Sequence, residues 1–335
     1  ALVGRLAVSW FAVATTVAIN GGSGAAKVDG RFGAGTGTPG ATADDFTAAL
    51  TAVYPAAYDF IVCACNDDTN RGLVSTHVTN ASGIAEGRRR VAFVGSLEST
   101  LSVVRADAQA ANNPRLEIKH LDGSHNTSGE LAAACCAAHI YGDGNLLGIA
   151  QYLAAKQNGL QLSPAIYAPE LADYNTSAEI AANLAAGVTV LGASRSRPGY
   201  AEVVRPVTTR TVAASGATSY LVIDPSKVRV ADEVADRIEA FAAANYADKN
   251  LTTNPTDPDN APSSPYLVWP DSIEADLLGI LRKMEDEGLL QNVNGHADEV
   301  SVTIDSVDNT VAVAVVPIEV IPHFHSFVVA VDQVG

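Results

Sequence analysis

Charge is scarce in this sequence, and positive charge is scarcer still. Asp, Glu, Lys and Arg make up 17% of the 335 residues, with 21 Lys and Arg against 37 Asp and Glu, a net charge of −16. Such a balance argues against general binding of nucleic acid or of anionic membranes, since both need a surplus of cations; on its own the acidity means solubility. Long apolar runs are also missing: no stretch approaches the roughly 20 residues of a membrane-spanning helix. Residues 1–18 are apolar but lack the length, the basic flank and the cleavage site of a signal peptide. Aromatics are few, at 6%, so Ala and Val must fill most of the interior. No G-x-S-x-G elbow occurs, which removes the usual nucleophile of the α/β-hydrolases. The four cysteines form two close pairs, Cys63/Cys65 and Cys135/Cys136. Neither Cys-x-Cys nor Cys-Cys has the spacing of a zinc ribbon or a redox Cys-x-x-Cys. They fit buried thiols in a reducing cytoplasm. In an oxidising medium they become a possible disulfide set, Cys63 or Cys65 with Cys135 or Cys136, within or between subunits.

The chain is long enough for two or three domains, and 47% of it is hydrophobic, as in a globular protein. It opens inside a strand-like run (Leu6, Val8, Trp10, Ala12), which reads as an excerpt with its N-terminus upstream. Residues 20–44 are Gly-, Thr- and Ala-rich and read as a loop or a weak strand pair. From Asp44 strands and helices alternate. Helices are expected at 44–53, 71–88, 98–111, 127–140 and 146–156, buried strands at 58–65 and 91–94, and a third strand at 116–121. That alternation predicts a mostly parallel sheet covered on both faces. Further strands are expected at Val188–Leu191 and Tyr200–Val212, the second with antiparallel character. A helix at Asn175–Gly187 and a long one at Ser226–Tyr246 complete this part, and residues 248–265 should form an exposed loop. The clearest stretch is the last. Ile273, Leu277, Ile280, Leu281 and Met284 recur at helical spacing, capped by Asp271 or Ser272 and stopped by Gly288. The period then falls to two: Val300, Val302 and Ile304, a turn at Asp308-Asn309, then Val311, Val313 and Val315.

Catalytic and binding readings can be assembled only weakly. Ser124-His125 follows the third strand, where α/β enzymes place chemistry, and Asp122 with Asp67 and Asp68 could complete a Ser/His/Asp set; nothing supplies an oxyanion hole. Asn66-Asp67-Asp68 offers oxygen ligands without the spacing of a cation loop. His323 and His325 alternate on one strand face without a third ligand. Gly35–Gly40 matches G-x-G-x-x-G formally, yet no firm strand precedes it and Pro39 removes a phosphate-binding N–H. Arg88-Arg-Arg90 could end a helix or meet an acidic neighbour.

In order and spacing the segments resemble those of the tail sheath proteins of contractile phage tails, nearest to the Mu-like group. Tyr58-Asp-Phe-Ile-Val62 resembles that family's "YDYIV" strand. Arg205-Pro-Val-Thr-Thr209 resembles its "R-x-[VI]-T-T" strand. Residues 274–292 resemble its long helix ending in "G-L-[VL]-x-N". Asp305–Val316 resembles its hairpin, with Thr310-Val311 where a basic residue is usual. The resemblance implies a subtilisin-like α/β core with a mostly parallel sheet (44–224), then an α+β C-terminal domain with an antiparallel hairpin and a strand-donating end (225–335). Residues 1–43 would be the remnant of an N-terminal linking segment. It implies a structural, non-enzymatic subunit without cofactor or metal, in stacked, hexameric rings around an inner tube, with baseplate and tail terminator proteins as further partners. There would be no direct nucleic-acid contact and no membrane insertion. The place implied is a virion tail assembled in the host cytoplasm, or alternatively the sheath of a bacteriocin or secretion-type injection system. The donated strand would carry Phe324, Phe327, Val329 and Val331, and the acceptor hairpin Val311, Val313 and Val315. An α/β hydrolase using Ser124 and His125 is the alternative from a different class.

Overall fold

The computed structural model describes residues 46–56, 58–64, 67–124, 126–144, 160–161, 166, 174–193, 201–257 and 264–321, with the backbone alone for 138–144 and 160–161. The chain divides into two compact units, one of residues 1–145 and 156–225, the other of 146–155 and 226–335.

The first unit is built as α1 (Thr47–Val53), β1 (Phe60–Cys63), α2 (Asp68–Ala81), β2 (Val91–Ser96), α3 (Leu101–Ala111), β3 (Leu116–His120) and α4 (Ser128–Gly144). There follow β4 (Leu160–Gln161), α5 (Ser177–Ala185), β5 (Val188–Ala193) and β6 (Ala201–Val203). The sheet order is β1-β2-β3-β5-β6-β4. Strands β1, β2, β3 and β5 are parallel, whereas β6 runs antiparallel to both β5 and β4. Continuous apolar runs such as Val91-Ala-Phe-Val94 form its centre because parallel strands are buried on both faces. Val74 and Val78 of α2, with Val104 and Ala108 of α3, pack on Ala92, Val94, Leu116, Ile118 and Val188. The opposite face takes Ala132 and Cys136 of α4 against Phe60, Val91 and Phe93.

Helix starts follow the sequence signals. Asp67 caps α2 by accepting from Asn70 N at 2.9 Å, and Thr176 and Glu179 close a reciprocal capping box on α5. Two expectations fail in this unit. The second helix ends at Ala81, not at Arg88-Arg-Arg90. Ser82 Oγ takes the Arg90 N–H at 2.9 Å, and Arg90 is fully buried at the entry to β2. The expected strand Tyr200–Val212 joins the sheet only over Ala201–Val203. Past Pro206, which has no N–H for a ladder, threonine hydroxyls replace strand pairing. Thr189 Oγ1 accepts from Val207 N at 2.9 Å and donates to Val207 O at 3.0 Å. Thr208 Oγ1 donates to Val222 O at 2.8 Å. Thr209 Oγ1 donates to Asn113 O and accepts from Asn113 N, both at 2.9 Å. Gly187 (φ +85°) lets this segment approach, since a Cβ there would stand 2.9 Å from Thr209 Cα.

The second unit contains α6 (Pro225–Asn245), β7 (Asn250–Leu251), β8 (Leu267–Val268), α7 (Pro270–Asp286), a 3₁₀ helix (Val293–Glu299), β9 (Ser301–Ile304) and β10 (Ala312–Val315). Its core joins Val230 and Val234 of α6 to Ile273, Leu277, Leu281 and Met284 of α7 and to Val293, Val300 and Val302. Each such side chain contributes about 1.5–3 kcal/mol by leaving water. Helix α7 stops in a Schellman turn: Leu289 N bonds Met284 O at 3.0 Å, Gly288 N bonds Glu285 O at 2.9 Å, and Gly288 sits at φ +79°. Its start differs from expectation. The cap position is Trp269, and Ser272 Oγ accepts from Trp269 N (3.1 Å) and donates to Trp269 O (2.7 Å). Pro270 takes the first helical position, where its missing N–H costs nothing. The expected loop 248–265 contains strand β7, which pairs in parallel with β8, and Asn254 is tied to Asp271 by two hydrogen bonds.

Candidate functional site at the edge of the C-terminal hairpin

The hairpin is where the second unit offers the most to a partner. Strands β9 and β10 pair antiparallel with Val313 opposite Thr303 and Val315 opposite Ser301. Val302 is buried on the core, so β9 is held down. Every residue of β10 is exposed, and Val311, Val313 and Val315 are 44%, 43% and 59% exposed. The turn is closed by Asp305 Oδ1, which takes Val307 N (2.7 Å) and Asp308 N (2.9 Å), and by Asp308 Oδ1, which takes Thr310 N (3.0 Å). The Asp305 bonds, and for Asp308 the Thr310 hydroxyl (2.6 Å) ahead of its N–H, hold both carboxyls below the usual carboxylate range.

The register also gives the direction of the free backbone groups. Asp305 N donates to Val311 O at 2.8 Å, so 305/311 is a hydrogen-bonded pair. By the alternation of antiparallel ladders, 303/313 and 301/315 are bonded pairs too. The N–H and C=O of Ala312 and Ala314 therefore point away from β9, and among the described residues they meet no other strand. Such an edge is a template for another strand. The valines supply the apolar face, and the alanines between them supply the hydrogen-bonding groups.

The remaining sequence candidates are placed as follows. Phe324, Phe327, Val329, Val331, His323, His325, Cys65, Asn66, His125 and Gly35–Gly40 lie outside the described residues, as do the expected helix 146–156 and the terminal segment 1–43. Ser124 Oγ faces Asn126, accepting its N–H at 3.2 Å, while Asp122 Oδ1 takes Gly123 N at 2.7 Å. No hydrogen bond links Ser124 to Asp122 among the described residues. Asp67 is used as the cap of α2, and Asp68 pairs with Arg71, which also reaches Asp107 at 3.1 Å. Among the described residues no group of three or more His, Cys, Asp or Glu is placed to hold a metal ion. No described helix is long and apolar enough to cross a membrane. Cys63, Cys135 and Cys136 are buried, and burial pushes the Cys135 thiol up to about 12.

Two buried polar groups escaped the sequence reading. Arg90 Nη1 meets His77 Nε2 at 2.6 Å, and Arg90 Nη2 donates to Tyr54 O at 2.8 Å and to Ala56 O. Burial, then the Arg90 charge, pushes His77 down to about 4, so the neutral ring accepts from the guanidinium. The arginine thus fastens the end of α1 to the unit, and its position directly before a fully apolar strand was the available signal. Glu117 and Lys119 form an ion pair inside β3.

No family model and no curated protein matches the sequence. Among solved structures the chain is similar to a sheath tail protein from Desulfitobacterium hafniense, at 14% identity over 85% of this chain and 62% of that one, with a TM-score of 0.54. It is also similar to a chain of the anti-feeding prophage baseplate (13%, 87% and 74%, TM-score 0.55). A third likeness is to a sheath tail protein from Listeria innocua (12%, 81% and 55%, TM-score 0.55). The chain has the fold of these sheath tail proteins: an α/β core with a mostly parallel sheet, followed by an antiparallel hairpin. It spans less than two thirds of the length of the two from D. hafniense and L. innocua.

Proposed function

We propose that this chain is the structural subunit of a contractile tail sheath, nearest to the Mu-like group. It polymerises as stacked, hexameric rings around an inner tube and shortens to drive that tube through a host envelope. The observation that carries this reading is the likeness of fold to sheath tail proteins over more than four fifths of the chain. The exposed β10 edge supports its mode of assembly. A strand bearing Phe324, Phe327, Val329 and Val331 from one copy would add to the Ala312 and Ala314 backbone of the next, beneath Val311, Val313 and Val315. Such links keep neighbours connected while subunits rotate as rigid bodies. The role is structural and non-enzymatic, and the partners are other copies, an inner tube, and baseplate and terminator proteins. The anti-feeding prophage likeness favours a second setting, an injection machine rather than a virion. Negative-stain microscopy of the purified chain tests the class: ringed tubes are expected, and a monodisperse monomer at every concentration would sink it. Deleting residues 324–335 should leave a folded subunit that forms none.

A further inference from the structure

We infer that Glu319 is the latch that holds the segment after β10, residues 316–321, against the C-terminal unit. The segment 316–321 runs back over the turn between α7 and the 3₁₀ helix. Val316, Ile318 and Val320 pack on the core, and Leu290 and Val320 form an isolated antiparallel bridge. That bridge has two main-chain bonds, Gln291 N to Glu319 O at 2.9 Å and Ile321 N to Leu289 O at 3.1 Å. A ladder of two bonds is too short to persist unaided.

The Glu319 carboxylate adds the missing hold. It takes Gln291 Nε2 at 2.5 Å and Asn292 Nδ2 at 3.4 Å, and it stands 3.6 Å from His296 Nε2, an ion pair when that ring is protonated. These donors sit on the turn and on the 3₁₀ helix, so one side chain joins the segment 316–321 to two neighbouring pieces. Three other charged groups of this corner have partners of their own. Glu285 takes Val293 N at 3.1 Å, Arg282 bonds Asn294 at 3.0 Å, and Glu299 holds the other ring nitrogen of His296 at 3.2 Å. Asn292 is held in the left-handed region, at φ 58°, where Asn is among the residues best tolerated.

The latch has a pH window. Hydrogen bonds from Gln291 first, then Asn292 and His296, hold the Glu319 carboxyl below its usual range. The hydrogen bond to Glu299, then that to Glu319, raises His296 above its own. The depressed carboxyl contributes stability that is present above its unfolded value and is lost as pH falls through the folded one. The raised histidine contributes stability that is full below its unfolded value and is lost as pH rises through the folded one. The latch is therefore tightest between the two titrations and loosens on either side.

Hydrogen exchange on the full, unassembled chain tests it. At a pH inside the window, E319A should speed exchange of the Gln291 and Ile321 amides by about tenfold, with the Leu281 and Met284 amides of α7 unchanged. Native protein should lose the same protection, corrected for intrinsic rates, as pH is lowered through the Glu319 titration. Equal protection in E319A and native protein would overturn the latch. If E319A also exposes α7, the native pH series alone decides: a loss confined to 289–291 and 319–321 supports the latch, and a flat profile overturns it. One consequence rests on the sheath reading: E319A should form fewer tubes, because the root of residues 322–335 is no longer held. Absence of tubes from native protein would count against that reading and leave the exchange result standing.

Discussion

Glu117 and Lys119 point to the same face of β3, and both are buried, with side chains 0% and 3% exposed. Taking each charge out of water costs several kcal/mol, and their attraction offsets this only with good geometry and satisfied partners. The pair is partly served. Lys119 Nζ lies 3.4 Å from Thr189 Oγ1 and 5.4 Å from the centre of the Phe93 ring, while Glu117 Oε1 has no partner among the described residues. Removing one charge strands the other, so K119M should lower unfolding stability by about 3–5 kcal/mol. The double variant E117L/K119M leaves no charge behind and should come within about 1–2 kcal/mol of native, or exceed it. Urea denaturation of the three proteins checks this, and a K119M midpoint equal to native would refute it. Here the sequence misleads for a physical reason. Leu116-Glu-Ile-Lys-His alternates as a half-exposed strand does, yet the parallel sheet covers both faces, and the polar positions fall beneath helix α4 instead of in water.

At the scale of elements, α7 was legible because two independent signals agree: the period of its apolar face and Gly288 after its last residue. Strands β1 and β2 were legible from apolar runs too short for helices. The segment 204–212 was not, because β-branched residues suit a strand and an anchored irregular segment equally. Only tertiary contacts showed that Thr208 and Thr209 bond to Val222 and Asn113, and Val207 to the Thr189 hydroxyl, rather than to a ladder. In the candidate site the valines were legible from their period, whereas the outward direction of the Ala312 and Ala314 backbone depends on the register of β9 and β10. That register permits a selective experiment. A314P removes an N–H that the hairpin does not use, at a position where an edge strand tolerates proline. V313P removes one that it does use. A314P should keep its denaturation midpoint to within about 1 kcal/mol and fail to form tubes, while V313P should lose stability as well. Tubes of normal length from A314P would rule out strand addition at this edge.

Across the whole molecule the acidity is unevenly shared. Residues 226–335 hold 19 Asp and Glu against 6 Lys and Arg, a net −13, whereas residues 1–225 hold 18 against 15, a net −3. The part of the chain that carries the exposed edge is thus the part that repels its own copies most. Strand addition at Ala312 and Ala314 gains main-chain hydrogen bonds and apolar contact, neither of which depends strongly on salt, and it must overcome that repulsion. At low ionic strength the Debye length is about 30 Å, and it falls to about 8 Å at physiological salt. Raising salt from about 0.01 M to about 0.15 M should therefore lower the concentration at which tubes first form by severalfold, read by light scattering or sedimentation. The reverse dependence would mean that complementary charged patches outweigh the net repulsion. In that case the contacts that set the lattice would lie on charged surfaces away from β10, and A314P would weaken tubes without abolishing them.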